Sequence, residues 1–138
     1  MSDKPSVLFV CVENSCRSQI AEGYALRLAG KGWIVASAGS RPSGRIHPRA
    51  AAFMREEGID LSGQRSKGLG EMASLSWDAV VTMGCGDACP HVAARRRLDW
   101  DLPDPKNLSD EEFRGIRDEI RRRVEALLRE LTASATKS

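Results

Sequence analysis

A thiol at Cys11 and a guanidinium at Arg17 flank the five-residue segment Val12-Glu13-Asn14-Ser15-Cys16, and Ser18 follows. A guanidinium offers a planar fork of donors to two oxygens of a tetrahedral anion. Main-chain amides of a loop that opens a helix can hold the remaining oxygens. Val12, Glu13, Asn14, Ser15, Cys16, Arg17 and Ser18 therefore read as an oxyanion cradle with the thiolate of Cys11 at its base. Thiols in such surroundings titrate roughly one to several units below the ordinary value near 8.5, each unit being worth about 1.4 kcal/mol. The hydroxyls of Ser15 and Ser18 can each donate to the thiolate, and Cys16 contributes its amide more than its side chain. The competing reading is an inert buried thiol beside a solvated arginine.

A second pair of thiols lies in Cys85-Gly86-Asp87-Ala88-Cys89, bounded by Gly84 and Pro90, a flexible segment by composition. Cysteines four positions apart in a helical turn have Cα atoms roughly 6 Å apart, which a disulfide accepts. A mobile loop would let Cys85 approach Cys11 first and Cys89 afterwards. Two other readings stay open. Cys85, Cys89 and His91 could hold zinc, although no second pair stands at finger-like spacing, or the two cysteines could be loop residues without function. Asp104 sits between Pro103 and Pro105, which fix the backbone on both sides and suit a carboxyl aimed at a reacting oxygen as a general acid. It could equally be an ordinary turn aspartate. His47 and His91 read as a helix-start residue and a loop residue.

These groups need elements to position them. Val7-Leu8-Phe9-Val10 is a short apolar, β-branched run of the kind that fills a buried parallel strand, so Cys11 stands at its C-terminal tip. Ile20, Ala21, Tyr24, Ala25 and Leu28 share one face of the helix expected to start near Arg17. A second strand is expected within Gly32 to Gly39, and a helix from Pro48 to about Glu57, stopped by Gly58. A third strand is expected over Asp78 to Met83 and a short fourth over Arg97 to Trp100. Phe113, Ile116, Ile120, Val124, Leu127, Leu128 and Leu131 recur at helical steps behind the capping box Ser109-Asp110-Glu111-Glu112. Strands alternating with helices imply an α/β fold, a three-layer α/β/α arrangement around a four-stranded parallel sheet. Ligands bind such sheets at the carboxyl ends of the strands, and both Cys11 and Cys85 lie just past such an end.

The 138 residues suit a single domain over 1–138, and 41% hydrophobic and 29% charged residues are the proportions of a soluble globular protein. A net charge of +2 is too small to imply nucleic acid or a membrane surface, and Arg95-Arg96-Arg97 and Arg121-Arg122-Arg123 read as solvated faces. With no signal pattern and no apolar run of spanning length, a cytoplasmic location is expected, where thiols are more often catalytic or metal-binding than structural.

Val7 to Gly23 with its Cys11 to Ser18 loop, Ala36 to Gly39, Val80 to Cys85 and Trp100 to Pro105 together resemble the arsenate reductases built on the low-molecular-weight protein tyrosine phosphatase fold, the class coupled to thioredoxin. The resemblance spans about residues 6 to 131. It implies that Cys11 attacks arsenate, that Arg17 and the loop amides bind the oxyanion, and that Asp104 assists departure of water. It further implies that Cys85 attacks Cys11 and that Cys89 then forms a disulfide with Cys85 for reduction by thioredoxin. No bound cofactor or metal is expected, because the two electrons come from thiols and the chain has no Gly-x-Gly-x-x-Gly fingerprint. Arsenate, with phosphate or sulfate as analogues, and thioredoxin are the implied partners of a monomer. Some relatives bind potassium through residues matching Asn14, Glu22 and Ser37 and an acidic residue; this chain has Lys67 there, whose ammonium would substitute for the ion. Cys85 and Cys89 also stand closer together than the corresponding pair in better-known members. The alternatives are a low-molecular-weight protein tyrosine phosphatase, which would use the same Cys11, Arg17 and Asp104, and a non-catalytic oxyanion-binding or redox-sensing module. Lys106-Asn107 after the Asp104-Pro105 pair, where those phosphatases carry aromatics, favours the reductase.

Overall fold

The computed structural model describes residues 5–30, 32–71, 76–84 and 92–136. The apolar run at the start forms β1 (Ser6–Cys11), buried on both faces as a central parallel strand must be. It is followed by α1 (Arg17–Ala29), β2 (Ile34–Gly39), α2 (Pro48–Arg55), a 3-10 turn (Leu69–Glu71), β3 (Trp77–Thr82), β4 (Ala94–Asp99), a second 3-10 turn (Pro105–Asn107) and α3 (Asp110–Thr136). The four strands are parallel in the order β2-β1-β3-β4, so β1 lies between β2 and β3. Cys11 is level with Gly39 of β2, and Val10 with Thr82 of β3. The carboxyl ends of three strands thus converge where the chemistry was expected.

Alternation along β1 divides the core. Val7, Phe9 and Cys11 face Ile20, Tyr24, Phe53, Met54, Phe113 and Ile120 from the three helices. Leu8 and Val10 face the opposite side with Ala38, Leu69, Val80 and Val92. The layering is the expected α/β/α, its second outer layer represented among the described residues by the turn at Leu69.

α2 starts at Pro48, with His47 as its N-cap: Nδ1 accepts from the Arg49 amide. Burial and the Lys106 ammonium hold the His47 imidazole below its ordinary value, which favours the neutral ring that this acceptor role needs. α2 closes at Arg55, two residues short of the expected Glu57, with Gly58 at φ +76°. The capping box forms as written: the Glu112 amide donates to Ser109 Oγ at 3.1 Å, and the Ser109 amide to Glu112 Oε1 at 3.3 Å.

Two expectations are corrected. β4 runs over Ala94–Asp99 rather than Arg97 to Trp100, because at a sheet edge only alternate residues are half-covered, so three consecutive arginines fit without an apolar run. Leu28 does not join the α1 core face; it is 42% exposed, lining a groove with Trp33 and Leu128.

Candidate active site

The segment between Cys11 and Arg17 is shaped from outside. The amides of Arg41, Ser43 and His47 donate to the carbonyls of Val12, Glu13 and Ser15 at 2.8, 3.0 and 2.9 Å. Gln19 Nε2 donates to Asn14 O and Ser66 Oγ to Glu13 O, both at 3.0 Å. In a planar trans peptide the carbonyl and the next amide point in opposite directions. Turning these carbonyls outward therefore turns the amides of Glu13, Asn14, Ser15 and Cys16 toward the loop's interior. Asn14 takes φ +51°, a left-handed conformation that asparagine tolerates better than most side chains. Gly39 is needed beside it, since a Cβ there would lie 2.6 Å from Val12 O.

A directed relay ends at the thiol. The Lys67 main-chain amide can only donate, and it faces Asn14 Oδ1 at 2.9 Å, which fixes the orientation of that side-chain amide. Asn14 Nδ2 then donates to Ser18 Oγ at 2.7 Å. The Ser18 hydroxyl stands 2.9 Å from Cys11 Sγ, and its proton is the one a Cys11 thiolate would accept. Ser18 thus stands where a thiolate donor is expected, but Ser15 does not: its hydroxyl donates to Glu13 Oε1 at 3.5 Å instead. The Cys16 thiol is buried beside the same loop, and burial first, with the Asp104 and Cys11 charges behind it, pushes it up to about 12. It stays protonated at neutral pH, in keeping with a structural role.

Arg17, the first residue of α1, is nearly buried. Nη1 donates to Leu102 O at 2.8 Å, and Nη2 stands 3.9 Å from Asp104 Oδ2. Nε is buried and has no hydrogen-bond partner among the described residues. The guanidinium also lies against Gly84, at φ +77°, where a Cβ would run into Nη1.

Beneath the loop, Glu22, Ser37 and Lys67 form a buried polar group. The Ser37 hydroxyl donates to Glu22 Oε1, Lys67 Nζ stands 3.9 Å from the same oxygen, and Nζ donates to Arg65 O at 3.1 Å. Burial holds the Glu22 carboxyl above the ordinary carboxylate range, against the opposing pull of Ser37 and Lys67.

Residues 6–137 match the model of the low molecular weight phosphotyrosine protein phosphatase family. The chain belongs to that family. Among family members it is 41% identical to the glutaredoxin arsenate reductase of Synechocystis sp., over 91% of this chain and 98% of that one. A solved arsenate reductase in the phosphate binding state superposes with a TM-score of 0.84 at 41% identity, covering 92% of this chain and 98% of its own. The thioredoxin-dependent arsenate reductase of Corynebacterium glutamicum superposes at 0.80 with 37% identity, covering 94% of this chain and 63% of its own. The resemblance read from the sequence is borne out at the level of family and of reductase-named relatives.

Within the family fold, Cys11, Val12, Glu13, Asn14, Ser15, Cys16, Arg17, Ser18 and Asp104 gather at one sheet edge. Cys85, Cys89 and His91 lie outside the described residues. Among the described residues no cluster of three or more metal-ligating side chains occurs, and no helix is long and apolar enough to cross a membrane. Sequence reasoning missed the packing of Gly84 on Arg17, the brace formed by residues 41–47, and Arg49. The guanidinium of Arg49 donates to the carbonyls of Pro105, Lys106 and Leu108 and to Asp110, fastening the turn that carries Asp104 to α2. A glycine directly before a loop cysteine was the one available signal for the first; the other two depend on contacts too distant along the chain to leave a local pattern.

Proposed function

We propose that the protein is a cytoplasmic, monomeric arsenate reductase working through three thiols. The observation that carries this reading is the cradle itself: inward amides, a thiol met by the Ser18 hydroxyl, and a buried Arg17 Nε that an oxyanion oxygen would satisfy. The thiolate of Cys11 attacks arsenic, and a hydroxide leaves as water with the proton of Asp104. The thiolate of Cys85 then attacks Cys11 Sγ. A sulfur–sulfur bond forms, and the electron pair of the broken sulfur–arsenic bond stays on arsenic, which leaves as arsenite. Cys89 attacks Cys85, freeing Cys11, and an external dithiol protein reduces the Cys85 to Cys89 disulfide. The packing of Gly84 on Arg17 supports this, since Cys85 is the next residue.

The reductant is thioredoxin in this reading, a dependence that the Corynebacterium relative bears in its name, whereas the Synechocystis relative bears that of glutaredoxin. Lys67 takes the part of a monovalent cation, a role supported by its ammonium beside Glu22 and its amide on Asn14. Steady-state turnover tests the relay. Arsenite release should continue when thioredoxin, its reductase and NADPH are supplied and should stop after one equivalent in Cys89→Ser. Turnover with glutaredoxin and glutathione alone would reassign the reductant. A phosphatase is the second reading, favoured by the family's phosphatase chemistry on the same cradle; it requires that Cys85→Ser leave aryl phosphate hydrolysis intact while arsenate goes unreduced in the wild type.

A further inference from the structure

The turn after Asp104 holds a residue that grips both oxygens of its carboxylate. The Lys106 main-chain amide donates to Asp104 Oδ1 at 3.1 Å, and Lys106 Nζ stands 3.4 Å from Oδ2. The same ammonium also donates to Glu13 Oε1, at 2.9 Å, a partly exposed carboxylate of the oxyanion loop. Arg49 fixes the backbone from which this side chain departs, donating to Lys106 O at 2.8 Å and to Leu108 O at 2.7 Å. The three groups are partly exposed, and rim ion pairs of that kind contribute little to stability. Their geometry is a better guide to what they do.

Asp104 Oδ2 stands 3.9 Å from Arg17 Nη2, which binds the oxyanion in this reading, and 3.4 Å from Lys106 Nζ, so an oxygen protonated by Asp104 departs next to the Lys106 ammonium. For arsenate that oxygen carries only a proton. For a phosphate ester it carries the organic group, which would then meet the ion pair of Lys106 and Glu13. We propose that Lys106 is a positioning and specificity-determining residue: by strapping Asp104 to Glu13 it aims the carboxyl at a small leaving oxygen and closes the site to oxyanions bearing an organic substituent. The inference rests on the reading of Asp104 as the acid of an arsenate reductase.

The test is the ratio of kcat/KM for arsenate to kcat/KM for p-nitrophenyl phosphate. Lys106→Ala should lower arsenate reduction by about tenfold, a fraction of what general acid catalysis supplies, and should raise or preserve hydrolysis of the aryl ester. Glu13→Gln, cutting the strap from its other end, should shift the ratio the same way, and Lys106→Arg should restore it. A ratio that falls about tenfold or more supports the strap; any smaller change, including a parallel loss of both activities through damage to the fold, overturns it. Wild-type protein that releases no arsenite fails the reductase reading itself, a result visible before any variant is made.

Discussion

At the scale of single residues, the site depends on groups whose only partner choices are fixed by chemistry. The Lys67 amide must donate, so Asn14 must present its oxygen there and its nitrogen to Ser18, whose hydroxyl is thereby held against Cys11, ready to donate to a thiolate. Types and spacing revealed the thiol, the guanidinium and Ser18, since these carry the chemistry themselves. They did not separate Ser15 from Ser18, because which hydroxyl faces inward depends on the path of the loop backbone, set by amides some thirty residues away. Gly84 shows the same limit: as a letter it ends a strand, and only packing reveals it as the floor under Arg17. Gly84→Ala should strain a positive-φ position and displace the guanidinium. Losing part of the Arg17 fork should cost about 1.4 kcal/mol or more in oxyanion binding, about tenfold in affinity. Competition by inorganic phosphate measures it; unchanged phosphate affinity would show that Arg17 has room the geometry denies.

At the scale of elements, β1 was legible as an apolar run buried at every position and α3 as one apolar stripe behind a capping box, whereas α1, read from Ile20, Ala21, Tyr24 and Ala25, also buries the polar residues between them from Arg17 to Ala25. β4 was misplaced because an edge strand buries too little to need an apolar pattern. Between α2 and β3, Arg65, Ser66 and Lys67 supply much of the bracing of the oxyanion loop and the start of α1. If the Lys67 ammonium acts as a built-in cation, wild-type activity should be indifferent to potassium, while Lys67→Asp should be less active without potassium and recover on its titration. Strong activation of the wild type by potassium would sink the idea. Loss of the ammonium also leaves Glu22 buried without its cation, which should cost about 3 kcal/mol of stability.

At the scale of the whole molecule, the helical layer is tied together on its outer side by Glu56, whose carboxylate takes Arg114 at 2.8 Å and Arg117 at 2.8 Å from α3. Hydrogen bonding to Arg114 first, with Arg117 adding to it, holds the Glu56 carboxyl down at about 2. A carboxyl depressed in the folded state stabilises it fully above the unfolded value of 4.5, and the contribution is lost as pH falls through about 2. The stability difference between wild type and Glu56→Gln, followed by urea unfolding, should therefore be constant above pH 5 and shrink below about pH 4; a difference independent of pH would remove Glu56 from the acid limb. Across the same molecule the parallel sheet sets Cys11 at the end of β1 and Gly84 just past β3, one strand away. That adjacency supports the proposed thiol relay to Cys85, the residue after Gly84 in the sequence, and the relay is the central claim. The most direct measurement is to mix fully reduced protein with stoichiometric arsenate, without reductant, and count free thiols and arsenite. The expected result is loss of two of the four thiols and release of one arsenite per chain, abolished by Cys11→Ser or Cys85→Ser. Four thiols remaining, with no arsenite released, would contradict it.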